Sequence, residues 1–171
     1  LIYAGSYGMM GAAVMAARGA LRSGVGKVTV EAPKCGYPII QSAVPEALYS
    51  ANQGEMYIDR MRPAHQYSAI AVGPGIGTNE TTLRALEELL LSSKSPIILD
   101  ADALNCIAMK PTMLNSLPML SIITPHAGEF DRLFGPHASM EARLRKACEV
   151  ARHYHILIVL KGHYTSIIRP D

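Results

Sequence analysis

Short apolar runs alternate with helix-periodic stretches along the whole chain. Ile2 to Gly5, Lys27 to Ala32, Ala69 to Gly73, Pro96 to Asp100, Leu120 to Thr124 and Ile156 to Lys161 each have the length and apolar density of a strand. Ser166 to Arg169 forms a shorter one. Several of these runs are apolar at nearly every position, the pattern of strands covered on both faces. Between them, Met10 to Ser23 is alanine-rich and stops before Gly24, a natural helix end. Asn79 to Ser92 sets Leu83, Leu86 and Leu90 on one helical face and turns Arg84, Glu87 and Glu88 outward. Ser139 to Tyr154 aligns Met140, Leu144, Ala147 and Ala151 in the same way. Strands and helices alternating at this spacing predict an α/β fold, a mostly parallel sheet flanked by helices on both faces. No repeat, low-complexity tract or linker divides the chain.

Composition changes this picture little. With 171 residues, 49% of them apolar and 18% charged, the chain has the makings of one domain with a sizeable core. A net charge of +2 gives no footprint for nucleic acid or a membrane surface. No apolar run approaches the roughly 20 residues that cross a bilayer, and no basic stretch precedes the first strand. Cys35, Cys106 and Cys148 are odd in number and far apart, which suits neither a disulfide framework nor a zinc site and points to a reducing cytoplasm. Leu1 reads as the start of a strand already under way, so residues 1–171 are expected to form a single partial domain, incomplete at both ends.

In a parallel sheet, ligands gather beyond the carboxyl ends of the strands, so the residues that follow each strand carry the chemistry. After the first comes Gly5-Ser6-Tyr7-Gly8-Met9-Met10-Gly11-Ala12-Ala13, which serves either close helix-on-sheet packing or an anion at a helix start. It lacks the Gly-Lys-Ser/Thr of a phosphate-binding P-loop. Gly73-Pro74-Gly75-Ile76-Gly77-Thr78 leads into the next helix, either as a phosphate cradle or as a turn needing positive φ. Thr78 stands where the dinucleotide fingerprint of dehydrogenases needs glycine. In Asp100-Ala101-Asp102-Ala103-Leu104-Asn105, two carboxylates suit a hydrated magnesium ion or a polarised hydroxyl, and one of them equally suits an N-cap for a helix from Ala103 onward. In Thr124-Pro125-His126-Ala127-Gly128-Glu129, Pro125 fits the first helical position and Glu129 the positive end of the helix. Lys161-Gly162-His163-Tyr164-Thr165 offers a lysine either to a nucleotide phosphate or to solvent at a turn. His65, His137, His153, His155 and His163 lack the strand-end context of His126, and surface or capping roles are expected for them.

Taken in order and spacing, these segments resemble the NAD(P)H-hydrate dehydratases of the ribokinase-like superfamily, over essentially the whole chain. Small-molecule kinases of that fold carry asparagine in a Thr-Pro-Asn-x-x-Glu segment, whereas His126 occupies that place here, as in the dehydratases. The resemblance implies repair of the S-epimer of hydrated NADH or NADPH. A phosphoryl group from ADP or ATP, with Mg2+, turns the ring hydroxyl into a phosphate that the ring nitrogen expels. It implies that Ala12, Gly73, Gly75 and His126 face the hydrated dinucleotide. Lys161, Gly162, His163, Tyr164 and Thr165 would line the adenine-nucleotide site. Asp100, Asp102, Asn105 and Glu129 would form the magnesium and phosphate environment. The family's catalytic aspartate sits in a later Gly-Ser-Gly-Asp-like segment, expected beyond Asp171, so residues 1–171 alone are expected to be inactive. A homo-oligomer, in many members a tetramer, and a fused or partner epimerase domain are further implications. A vitamin-precursor kinase of the same fold and a non-catalytic nucleotide-binding module are the alternatives.

Overall fold

The structure is a computed structural model and describes residues 1–63 and 66–171. Among the described residues, eight strands form one sheet: β1 (Ile2–Tyr3), β2 (Thr29–Ala32), β3 (Leu48–Ala51), β4 (Ile70–Val72), β5 (Ile97–Leu99), β6 (Ile122–Ile123), β7 (Leu157–Leu160) and β8 (Ser166–Ile168). The order is β3-β2-β1-β4-β5-β6-β7-β8, parallel throughout except for the antiparallel β7–β8 hairpin. The helices are α1 (Met10–Arg22), α2 (Tyr37–Ala43), α3 (Glu80–Ser92), α4 (Asp102–Met109), α5 (Ala127–Phe134) and α6 (Met140–Tyr154).

The order of strands reverses between β1 and β4, so the two glycine-rich turns that follow those strands face each other across a topological switch point. In open α/β sheets that is where ligands bind. Register sorts the side chains into two faces. Tyr3, Val72, Leu99, Ile123 and Ile158 share one face with the buried residues of α3 to α6. Ile2, Ala4, Val30 and Ala32 face the other way, against α1 and α2. Helix α3 is typical of the first layer. Asn79 caps it by accepting from Thr82 N–H at 3.0 Å, and Leu86, Leu89 and Leu90 are fully buried. Burying each leucine contributes about 1.5–3 kcal/mol.

The structure departs from the sequence expectation in specific places. Strands β4 to β7 are covered fully on one face only. Ala71, Ile98, Ile122, Leu157 and Val159 are half-buried on the other, and Ile167 is 71% exposed there. Edge strand β3 and the seven-residue α2 were not anticipated, because β3 has no buried residue and α2 buries only Ile40. Leu120 is not in a strand: it adopts φ 63° and hydrogen-bonds His155 O at 2.7 Å. Met140 is exposed instead of joining the core, while Glu87 is half-buried and pairs with Lys110 at 2.7 Å. Among the described residues, no helix is long and apolar enough to cross a membrane.

Candidate functional site

The two turns at the switch point are bonded to each other. Gly5 N–H donates to Pro74 O, and the buried Ser6 hydroxyl donates to Gly75 O, both at 2.8 Å. Gly73 has φ 137° and a side chain on it would lie 1.8 Å from Asp100 O; Gly75 has φ 67° and is pressed against Met9 O and Ala12 Cβ. Packing therefore accounts for both glycines, and it sets Ala12 and Gly75 against each other. Asp102 ties the second turn down, its Oδ2 accepting from Gly77 N–H at 3.0 Å. Its Oδ1 accepts from Asn105 Nδ2, and Asn105 Oδ1 accepts from Arg132 on α5. Helix α1 has no side-chain cap at Met9, which leaves its first-turn amides without that partner.

A second group assembles beyond β5, β6 and β7. His126 is the N-cap of α5. Its Nδ1 accepts from Gly128 N–H at 3.0 Å and Glu129 N–H at 3.3 Å, while Glu129 Oε2 accepts from His126 N–H at 2.8 Å. This capping box moves Pro125 one place ahead of the cap, out of the first helical position expected for it. Imidazole Nδ1 fills the place that an asparagine oxygen takes in such a cap. Because Nδ1 accepts, the ring proton resides on Nε2, 3.5 Å from Glu129 Oε1. Lys161 extends β7 alongside His126. Its ammonium lies 2.7 Å from Asp100 Oδ1 and 4.0 Å from the buried Glu129 Oε2.

The residues expected to act together fall into three sets. Asp100, Glu129, Lys161 and His126 converge. Asp102 and Asn105 instead belong to the tether beneath the second glycine turn. Neither Asp100 nor Asp102 caps α4, whose N-cap is Ala101 at φ 50° with no side-chain bond. Gly162, His163, Tyr164 and Thr165 form the exposed turn of the β7–β8 hairpin. Among the other histidines, His155 ends α6 in the left-handed conformation, as a capping role requires. His137 departs from expectation: it is nearly buried, 3.0 Å from Asp131 and stacked near Phe130. His65 lies outside the described residues. Ser6 and Arg132 were not singled out from sequence. Only the position of Ser6 inside a glycine-rich turn signalled it, and nothing signalled Arg132.

The carboxylates and thiols respond to these surroundings. Bidentate Arg143 and nearby His137 hold Asp131 at about 2, while burial pushes the Cys106 thiol up to about 12. All three cysteines are free. Among the described residues, no three metal-ligating side chains gather. Magnesium is usually bound through one or two carboxylates together with substrate phosphates and water. Asp100 and Glu129, converging on one point with Lys161, fit that mode.

With this geometry in place, the sequence profile of the NAD(P)H-hydrate dehydratase family matches residues 1–171. The chain belongs to that family. It is 37% identical over 173 residues to the ADP-dependent (S)-NAD(P)H-hydrate dehydratase of Bacillus subtilis, covering all of this chain and 60% of that protein. It is 34% identical over 181 residues to the bifunctional NAD(P)H-hydrate repair enzyme of Moorella thermoacetica, covering 34% of it. The fold superposes on the Bacillus subtilis dehydratase crystallised with ATP and Mg2+ at a TM-score of 0.80 and 33% identity, over 99% of this chain and 60% of that one. A ribokinase-like protein of Enterococcus faecalis at 23% identity shares the fold, with a TM-score of 0.76. This member of the dehydratase family thus spans 60% of the Bacillus subtilis dehydratase and 34% of the bifunctional repair enzyme.

Proposed function

We propose that this chain carries the substrate- and phosphate-facing part of a nucleotide-dependent (S)-NAD(P)H-hydrate dehydratase. The observation that supports the reading best is the convergence of Lys161, Asp100, Glu129 and the capped His126 at three neighbouring strand ends, in a chain of this family. ADP or ATP, with Mg2+, supplies the phosphoryl group that makes the ring hydroxyl a leaving group. Lys161 balances phosphate charge, and Asp100 and Glu129 hold the ion together with phosphate oxygens. His126 presents its fixed Nε2–H to the hydrate. The first-turn amides of α1 and the paired glycine turns bound the place where the dinucleotide lies. By family resemblance, an aspartate of a Gly-Ser-Gly-Asp-like segment takes the hydroxyl's proton. The same reading places the protein in the cytoplasm as a homo-oligomer, a tetramer by family resemblance, with an epimerase as fused or partner domain.

The test joins residues 1–171 to the unmatched part of the Bacillus subtilis relative and supplies S-hydrate, Mg2+ and ADP or ATP. Recovered nicotinamide absorbance with release of free phosphate is expected. His126→Ala should raise KM for the hydrate more than for the nucleotide. A stable phosphorylated product would identify a kinase instead, and nucleotide binding without any turnover would identify a binding module.

A further inference from the structure

A second polar cavity lies on the same edge of the sheet, outside the groups described above. It has a volume of about 220 Å³ and is walled by Glu31, Gln53, Arg60 and Arg62. Two buried side chains build it. Asn52 Nδ2 donates to Arg60 O at 2.7 Å and to Glu31 Oε1 at 2.8 Å, and its Oδ1 accepts from Asp59 N–H at 3.0 Å. The Tyr3 hydroxyl donates to Arg62 O and accepts from Arg62 N–H, both at 3.1 Å. The backbones of Arg60 and Arg62 are thus pinned from below, with Met61 buried between them. Among the described residues, neither guanidinium has an ion-pair or side-chain hydrogen-bond partner. The loop that carries them is bonded to the first glycine turn, Tyr7 N–H donating to Met56 O at 2.8 Å.

The spacing supports a nucleotide. In β-α-β dinucleotide sites the ribose is met about 20 positions beyond the glycine turn, either by an acidic residue that accepts from its 2′-hydroxyl or by a nearby arginine that accommodates a 2′-phosphate. Here Glu31, near the carboxyl end of β2, follows Gly11 by about that interval. Arg60 and Arg62 stand across the cavity from it. We infer that this pocket takes the 2′-phosphorylated ribose of the substrate, with Arg60 and Arg62 holding the phosphate and Glu31 accepting from a ribose hydroxyl. The chain then favours NADPH hydrate over NADH hydrate. Forked guanidinium–phosphate bonds are directional and strong, whereas a lysine would act as a point charge.

The inference rests on the dehydratase reading for its ligand, yet it is tested by binding alone. Residues 1–171 are titrated with adenosine 2′,5′-bisphosphate, AMP, NADPH, NADH and inorganic phosphate, followed by calorimetry. The bisphosphate and NADPH should bind at least about ten-fold more tightly than AMP and NADH, respectively. R60Q/R62Q, two exposed positions, should erase that difference and leave NADH binding unchanged. Equal affinities, or a difference that survives both substitutions, would overturn the assignment. Inorganic phosphate competing as well as the bisphosphate would also overturn it, making this a free-phosphate site. If the dehydratase reading alone fails, the 2′-phosphate preference persists while the joined chain turns over neither hydrate. If this inference alone fails, turnover proceeds without the preference.

Discussion

Gly73→Ala is the sharpest test of how the switch point is built. At φ 137° the residue lies in a region that side chains rarely occupy, and the added Cβ would stand 1.8 Å from Asp100 O and 3.0 Å from Ala103 Cβ. Backbone strain of this kind costs about 1–3 kcal/mol. The clash adds to it, because ordinary van der Waals contact requires the end of β5 to retreat by more than about 1 Å, and packed interiors yield only at a cost of about 1–3 kcal/mol. The sum is about 2–6 kcal/mol, a large share of the stability of about 5–15 kcal/mol typical of a domain. For a chain of this length, at about 2–4 °C per kcal/mol, that lowers Tm by about 4–24 °C. Urea denaturation followed by circular dichroism measures it directly. Gly19→Ala serves as the control, since that helical glycine meets nothing within 4 Å. It should stabilise by about 0.5–1 kcal/mol through helix propensity. A Gly73→Ala protein that unfolds within 1 kcal/mol of the parent would refute the close approach of Gly73 to Asp100, and with it the geometry of the second turn.

Three further outcomes are expected. Asp131 is held at about 2, below its ordinary 3.8, so its pairing with Arg143 contributes stability above pH 4 that is lost as the pH falls toward 2. Asp131→Asn should therefore flatten the stability profile over that interval in a urea series, and an unchanged profile would count against the pair. Asp102→Ala frees Gly77 N–H and loosens the second glycine turn; in the joined chain it should raise KM for the hydrate several-fold while leaving nucleotide KM within about two-fold. Asp102→Asn, which keeps an oxygen for that bond, should restore most of the loss. Ile167→Lys on the open sheet face should leave stability within about 0.5 kcal/mol and reduce binding of a hydrophobic dye; a large destabilisation would mean that the face is covered.

The alternation of the sequence was enough to place seven of the strands, the parallel sheet and the turns at the carboxyl ends of its strands. Periodicity reports which residues are apolar, and that suffices where burial is strong, as in α3 and β7. It fails where an element is held by its neighbours. Strand β3 is an edge with half-exposed residues, held by its pairing with β2, and α2 is seven residues long and packs on α1. Continuous apolar runs such as Pro96 to Leu99 suggested two covered faces, and the structure covers one. An apolar pattern shows that a strand face is suited to burial without showing what lies on it. The site divided along the same line. His126, Glu129, Lys161 and Asp100 stood at strand ends, and strand ends are visible in sequence. The uses of Ser6, Asp102 and Arg132 depend on hydrogen bonds that cross 25 or more positions of the chain.

The capping box explains why those visible residues belong together. Glu129 is buried and spends Oε2 on the amide of His126, so it can meet an ion only from the place where that bond holds it. Asp100 has no such commitment: among the described residues its side chain pairs only with Lys161, and both remain partly open to solvent. The buried carboxylate therefore acts as the fixed point of the group, and the exchangeable pair is Asp100–Lys161, which an incoming phosphate and its cation can divide between them. Histidine in the cap adds what asparagine does not. Both accept the helix amides, but the imidazole keeps a second nitrogen, and the acceptor role of Nδ1 forces the proton onto Nε2 at the exposed edge. One side chain thereby closes the helix and offers a donor of fixed tautomer to the solvent side, which is why a substitution at His126 has to be read in helix stability and in hydrate KM separately.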